Sequence, residues 1–355
     1  MTAQAQAAMR PIDGPLNWRA SDMRSRTDWI VELDDTDRAE LETAAEAVRD
    51  RNIAELTRSD FPLQSLGHKL LEVQQEVLHG RGFAVLRGID VSSGDKELLG
   101  RMYWGIGTWL GDAISQNPNG HLLGHVTDIG AKVDNPNQRG YQSADALPFH
   151  TDVAADMVGL FCLRPAQSGG ASSIVSAVAM HNAMLERHPD LLARLFQPWC
   201  WDRRGEVPPG CEAWYELPVF SHHAGQLLVA FVRRFIASAE RHAEVPALTE
   251  DEHRALDTLQ DIAAEPDMHL AMDFRPGDIQ LINNYAILHA REAYTDDLRP
   301  GHERHLLRLW LTADEGWELP EAMYDRYPGR TASGRPAGIR TDDTVLKATL
   351  DPRAA

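Results

Sequence analysis

The feature that most constrains this chain is a short run, Pro148-Phe149-His150-Thr151-Asp152, read together with His289. Side chains two apart on an extended segment project to the same face, so His150 and Asp152 point one way. An imidazole and a carboxylate so placed can grip one side of a metal ion. A second imidazole from a distant strand completes a two-His-one-carboxylate set. That set leaves coordination positions open and suits iron(II). A fold that uses it must bring a strand ending near residue 289 back to one ending near residue 150.

The triplet alone selects little, because His-x-acid occurs three times: His150/Asp152, His188/Asp190 and His242/Glu244. His188-Pro189-Asp190 reads as a helix start, where proline suits the first helical position. His242 and Glu244 lie in a polar stretch before another helix and read as solvated. Context separates His150 from both. A polar, Gly/Pro/Asn-rich loop over 135–143 delivers the chain to it. The apolar run Met157-Val158-Gly159-Leu160-Phe161-Cys162-Leu163 follows as a buried strand, and Gly169-Gly170 turns the chain into another at 171–175. A later block, 279–284, leads as a strand to His289, and 304–311 is a further strand.

Helical spacing of apolar residues marks helices at about 35–49, 63–78, 96–110, 177–186 and 189–196. Another runs to Ala264 from Thr249, an N-cap candidate with Glu252 at the capping-box position. A strand at 83–86 and a hairpin around Ala224-Gly225 complete the regular elements. Residues 197–217 carry Trp199, Trp201, Trp214, Tyr215 and Arg203-Arg204 around Pro208-Pro209-Gly210. They read as a loop-rich insertion whose aromatics either line a pocket or form a satellite cluster. Residues 1–20 read as a mobile tail, 21–355 as one domain, and the stretch beyond about 328 as loop.

Composition narrows the partners. A formal net charge of -18 argues against nucleic acid or an anionic membrane surface. A small anionic substrate stays open, because local arginines can override the net field. Three irregularly spaced cysteines suggest free thiols in a reducing cytoplasm. No run is apolar enough to span a bilayer, and no signal-peptide pattern opens the chain. Homo-oligomerisation is left open.

The strand Arg304-His305-Leu306-Leu307-Arg308 places two arginines four apart, hence on one face. Two inward guanidiniums on an apolar strand need an anion, since unpaired buried charge is expensive. Arginine suits bidentate recognition of a carboxylate. The ordered set Gly82-Phe83-Ala84-Val85-Leu86-Arg87-Gly88, Phe149-His150-Thr151-Asp152, Ser168-Gly169-Gly170-Ala171-Ser172, Pro276-Gly277-Asp278, Asn283-Asn284, Leu288-His289 and Arg304-x-x-x-Arg308 resembles the Fe(II)/2-oxoglutarate-dependent dioxygenases of the taurine dioxygenase and clavaminate synthase-like type. The resemblance spans about residues 80–312.

It implies an α+β chain with a mainly β core, a distorted double-stranded β-helix (a jelly-roll variant) with helices packed outside. By position, His150, Asp152 and His289 resemble the iron ligands. Arg304 resembles the residue that pairs with the distal carboxylate of 2-oxoglutarate, and Ser172, or Ser173 in its stead, a hydroxyl contacting the same carboxylate. Arg308 matches a position that in several members contacts an acidic group of the substrate; the other reading pairs it with a protein carboxylate. The resemblance implies Fe(II), 2-oxoglutarate and O2, a small-molecule substrate, and hydroxylation or desaturation. The carboxylate at Asp152 disfavours halogenation, in which a small residue replaces it. The competing reading is a cupin-like binding protein without turnover.

Overall fold

The structure, a computed structural model, describes residues 9–131, 139–297, 299 and 301–352. The expected loop at 135–143 therefore lies partly outside the described residues. Two antiparallel-rich sheets form the β framework. The larger runs β1 (Ile30–Glu32), β2 (Phe83–Arg87), β14 (Ile279–Asn283), β6 (Met157–Arg164), β17 (His305–Thr312), β3 (Asp112–Ala113), with β4 (Leu123–Val126) also paired to β17. The smaller runs β13 (Leu270–Met272), β8 (Ser172–Ser176), β15 (Ile287–Arg291), β5 (Leu147–His150). Short antiparallel pairs join β7 (Ser168–Gly169) to β16 (Tyr294–Thr295), β9 (Pro198–Asp202) to β10 (Trp214–Pro218), and β11 (Phe220–His223) to β12 (Gln226–Val229).

Strand β17 explains how the larger sheet is layered. All eight of its residues are buried. Leu307, Leu309 and Leu311 enter a core shared with three helices, α2 (Asp35–Ala47), α3 (Ser65–His79) and α4 (Lys96–Leu110). Their alternate neighbours Leu306 and Arg308 line a cavity instead, and Trp310 joins the second core. Period-two alternation in a strand covered on both faces thus sorts one continuous apolar run into a structural face and a site face. Each leucine on the structural face contributes on the order of 2 kcal/mol by burial.

The smaller sheet packs against α5 (Ala177–Arg187), α6 (Pro189–Leu195) and α8 (Glu250–Ala264) through Ile174, Val175, Leu192, Leu256, Leu259 and Leu288. Thr249 caps α8 in a reciprocal capping box with Glu252, and proline opens α6. Three further short helices, α1 (Ala20–Met23), α7 (Arg233–Ser238) and α9 (Glu321–Asp325), complete the described set. The hairpin β11–β12 turns through Ala224 (φ 47) and Gly225 (φ 81). Two left-handed central residues match the twist of a two-residue hairpin. Among the described residues no helix is long and apolar enough to cross a membrane.

Several expectations change. The described part of the N-terminal tail, residues 9–20, packs on the protein. Trp18 is buried and its Nε1–H donates to the Arg81 carbonyl at 2.9 Å, while Met9, Ile12 and Leu16 cover the core. Residues 1–8 lie outside the described set. The stretch 197–217 is loop-rich only in its middle: residues 198–202 and 214–217 pair as β9 and β10 around irregular chain at 203–213, Trp199 and Trp201 alternate into the core, and Trp201 Nε1–H donates to the Leu217 carbonyl at 2.8 Å. Burial of its aromatics favours the satellite-cluster reading over a pocket lining. Of the pair read as solvated, Glu244 is exposed, whereas His242 is half-buried and its Nε2 lies 3.1 Å from Asp202 Oδ1. The chain beyond 328 is irregular, as expected, yet anchored. Arg335 forks onto buried Asp156, and His125 Nε2–H donates to the Thr349 carbonyl at 2.8 Å.

Candidate metal centre and its cavity

His289 on β15 stands directly opposite His150 on β5 in the antiparallel register. Their ring centroids are 4.3 Å apart. Asp152 follows just beyond the end of β5. One ligand atom from each of His150, Asp152 and His289 falls within 4.8 Å of the others. The loop that carries Asp152 is pinned on both sides. Asn284 Oδ1 accepts from the Asp152 N–H at 2.8 Å, and its Nδ2 donates to the carbonyls of Asp152 and Ala155, each at 3.0 Å. Thr151 N–H donates to the Phe231 carbonyl at 2.8 Å, and its hydroxyl accepts from the Phe231 N–H at 3.0 Å. A buried backbone segment outside any ladder needs such partners, and here they fix where the carboxylate points.

The side chains are oriented as well. His150 Nδ1–H donates to the Pro148 carbonyl at 2.8 Å, which leaves Nε2 as the free ligand nitrogen. Asp152 Oδ2 accepts from Trp310 Nε1–H at 2.8 Å, and Oδ1 from Arg308 Nη1–H at 3.3 Å. His289 Nδ1 is buried without a hydrogen-bond partner among the described residues. An orphaned imidazole nitrogen beside a second imidazole and a carboxylate is the donor set that a divalent transition metal completes.

The three groups line one cavity with Ser172, Arg291, Arg304 and Arg308. Arg304 and Arg291 flank the Tyr294 ring, their guanidinium carbons 5.1 and 4.9 Å from its centroid. Both are buried, and Arg304 Nη1, Arg291 Nε and Nη1, and the Tyr294 hydroxyl have no partner among the described residues. Ser172, buried on β8, is the register partner of Arg291. Gly170 (φ 74) leaves room for Arg304; a Cβ there would lie 3.3 Å from its Nε. This corner offers several donors without partners among the described residues; Asp296 is close but accepts from the Arg304 backbone N–H at 2.6 Å, and a carboxylate ligand would satisfy the guanidinium donors.

The family model of the taurine catabolism dioxygenase TauD, TfdA family matches residues 49–310. The chain belongs to this family. It is a dioxygenase, an oxidoreductase of the Fe(II)/2-oxoglutarate-dependent class. Among its relatives is FR-33289 synthase from Streptomyces rubellomurinus, 33% identical over 336 residues, covering 92% of this chain and 98% of the relative. The taurine hydroxylase-like protein SAT17 from Stachybotrys chartarum is 30% identical over 325 residues, covering 88% of this chain and 83% of the relative. A uridine-5'-phosphate dioxygenase from Amycolatopsis is 27% identical over 176 residues, 48% of this chain and 62% of that one. Asparagine oxygenase, solved with Fe(II), hydroxyasparagine and succinate, superposes with a TM-score of 0.60 at 18% identity, covering 87% of this chain and 99% of that one. The non-haem iron oxygenase OrfP, solved with Fe and alpha-ketoglutaric acid, gives 0.61 at 15% identity, covering 87% of this chain and 99% of that one.

Electrostatics in the dioxygenase fit metal binding. Burial, and then His289, hold His150 deprotonated down to about 3. Burial likewise lowers His289. Burial alone would raise Asp152, but Arg308, the two histidines and the Trp310 N–H together bring it below the ordinary carboxylate range. Neutral imidazoles and an ionised carboxylate are the forms that ligate. Arg291 is pushed down to about 10 by burial and by Arg304 beside it.

Arg304 and Arg308 do share a face, as alternation predicts, and both reach the cavity. Arg308, however, is already engaged. Its Nε–H donates to Gln116 Oε1 at 2.8 Å, and its Nη1–H to Asp152. Only Nη2 lacks a partner among the described residues. The sequence reading missed Arg291, although it lies two residues past His289, and alternation alone places it on the same face. It also missed Trp310, which sits two past Arg308 by the same rule.

Proposed function

We propose that His150, Asp152 and His289 hold one Fe(II), and that 2-oxoglutarate places its distal carboxylate against Arg304, Arg291 and the hydroxyls of Ser172 and Tyr294. The single observation that carries this reading is the convergence of two imidazoles and one carboxylate in a cavity that also holds arginine N–H groups without partners among the described residues. Such a framework corresponds to a distorted double-stranded β-helix, with the two sheets facing across the cavity. Iron(II) with 2-oxoglutarate supplies the oxidising chemistry: one atom of O2 ends in succinate with release of CO2, the other in the hydroxylated product.

The protein's own residues then have distinct tasks. Arg308 and Trp310 hold Asp152 ionised and aimed. Asn284 and Thr151 fix the loop on which it rides. Leu160, Val232, Phe235, Phe274 and Leu306 line the cavity with apolar surface that excludes water from the reacting centre. The substrate is a small metabolite with an acidic group, hydroxylated at an unactivated carbon. The cavity's arginines support that, as does the phosphorylated nucleoside for which one relative is named.

The test is Fe(II)- and O2-dependent conversion of 2-oxoglutarate to succinate. Arg304→Ala is expected to weaken 2-oxoglutarate binding by about 2–5 kcal/mol, the cost of removing one partner of a buried charge pair. An unchanged dependence on 2-oxoglutarate in that variant removes Arg304 from the role.

A further inference from the structure

Among the described residues Arg308 is the ion-pair partner of Asp152, and that contact is one N–H at 3.3 Å. A single hydrogen bond of that length is weak, so the direction of this long side chain has to be set elsewhere. The Tyr141 and Trp310 rings lie 4.3 and 5.0 Å from the guanidinium carbon and restrain its plane. Gln116 sets its reach. Gln116 is fully buried, and its amide is spent on residue 308 and the adjoining chain. Oε1 accepts from Arg308 Nε–H at 2.8 Å, while Nε2 donates to the Arg308 carbonyl at 2.9 Å and to the Leu122 carbonyl at 3.0 Å. The amide thus clips the main chain and the side chain of one residue at once. These partners also fix which end of the amide is oxygen, because two carbonyls demand a donor. The segment that carries Gln116 is itself tied down. Its N–H donates to the His121 carbonyl, and Ile339 N–H donates to the carbonyl of the preceding Ser115, each at 2.9 Å.

Gly124 shows independently that this seat is built. It stands directly opposite Arg308 in the register of β4 against β17. Its backbone is not left-handed, so conformational freedom does not account for a glycine inside a strand, where it weakens the ladder. Space does. A Cβ at 124 would lie 2.5 Å from Gln116 Oε1 and 3.2 Å from its Cδ. The neutrality of the amide matters as well. A glutamate at 116 would set a second carboxylate on the guanidinium and turn an acceptor towards two carbonyls. Glutamine leaves the charge of Arg308 to Asp152.

We propose that Gln116 is a positioning residue of the metal centre: seated in the space left by Gly124, it holds Arg308 so that Arg308 holds Asp152. The proposal rests on the reading of His150, Asp152 and His289 as the Fe(II) ligands given above. It assigns to a residue with no contact to any of those three a part in metal affinity, exerted through one arginine.

The experiment uses the full-length protein, freed of metal and titrated anaerobically with Fe(II), in a cycle of Gln116→Leu, Arg308→Met and the double variant. Gln116→Leu should weaken Fe(II) binding about tenfold or more, as when a group that orients a metal ligand is removed. In the Arg308→Met background the same substitution should weaken it by less than about twofold, because its route to Asp152 is already cut. At saturating Fe(II), the 2-oxoglutarate affinity of Gln116→Leu should stay within about twofold of wild type, since the Arg304 corner is untouched. A residue that only fills the core would lower Fe(II) affinity by the same factor in both backgrounds. Gly124→Ala keeps every hydrogen-bonding group and pushes on the Gln116 amide. It should weaken Fe(II) binding about threefold or more, again only while Arg308 is present, and it carries the test if Gln116→Leu does not fold. The proposal is overturned if the folded variants bind Fe(II) as wild type does, or if the loss is the same with and without Arg308. A wild type that binds no Fe(II) overturns the ligand reading and this proposal with it. A wild type that binds Fe(II), with variants whose effects simply add, overturns the role of Gln116 alone.

Discussion

Asp152 concentrates the residue-scale argument. A buried carboxylate between two imidazoles would protonate unless something holds it ionised, and Arg308 and Trp310 do so. This changes what Arg308 is for. An arginine whose Nε and Nη1 are committed to Gln116 and Asp152 has one edge left for a ligand. Arg308→Lys keeps the charge and loses the fork. Its kcat/KM should fall by a similar factor for acidic and neutral substrate analogues, with weaker Fe(II) retention, as when the groups that orient a metal ligand are removed. A loss confined to acidic analogues would return Arg308 to the role of substrate anchor. At this scale the sequence exposed His150, Asp152, His289, Arg304 and Arg308 as a pattern, because each lies at a fixed offset on a strand. Arg139 and Arg234, which also line the cavity, were illegible: they come from a loop and a short helix, and nothing in local spacing links them.

At the scale of elements, the decisive contact is the register of β5 against β15. A slip of one residue would turn His289 away from the cavity. Periodicity legible in the sequence placed β17, β6 and β14 and most helix ends within a few residues. It could not supply the pairing partners. It also misread β9 and β10, because Pro208-Pro209-Gly210 signals a turn more strongly than the alternation of Trp199 and Trp201 signals a strand. Asn284 carries an element-scale prediction. Its amide closes three hydrogen bonds that bind the Asp152 loop to the turn between β14 and β15. Asn284→Ala leaves an N–H and two carbonyls unsatisfied and should cost about 2–3 kcal/mol in urea unfolding of the metal-free protein, together with a loss of Fe(II) affinity. Wild-type stability in that variant would show that the clamp is not needed.

The whole molecule is acidic, at -18, yet it encloses a cavity rich in arginine. A concave, low-dielectric site focuses its own field, so net charge does not predict the sign of a ligand. The termini also act at this scale, and composition could not show that they pack. His125 on β4 binds the Thr349 carbonyl through Nε2–H, so its Nδ1 accepts from His305 Nε2–H at 2.8 Å. Both histidines are neutral in that arrangement. Burial, and then His125, hold His305 down to about 3, and burial lowers His125 as well. The unfolded chain takes up these protons near pH 6.5, whereas the folded protein does not. The neutral pair's stability is therefore fully present above pH 6.5 and is lost as pH falls towards 3. The loss approaches about 1.4 kcal/mol per pH unit for each histidine concerned. His305→Gln, whose amide can still donate to His125 Nδ1, should flatten the fall of the urea midpoint between pH 6.5 and 4.5. An unaltered slope would assign the acid sensitivity elsewhere.

The central claim is that one metal ion is held by three residues drawn from two separate parts of the chain. Anaerobic titration of the metal-free protein with Fe(II), followed by quantification of retained iron, tests it most directly. The wild type should retain one Fe(II) per chain. His289→Ala and Asp152→Ala should each lose it while keeping the wild-type circular dichroism. Retention of one Fe(II) per chain by either folded variant would contradict the account.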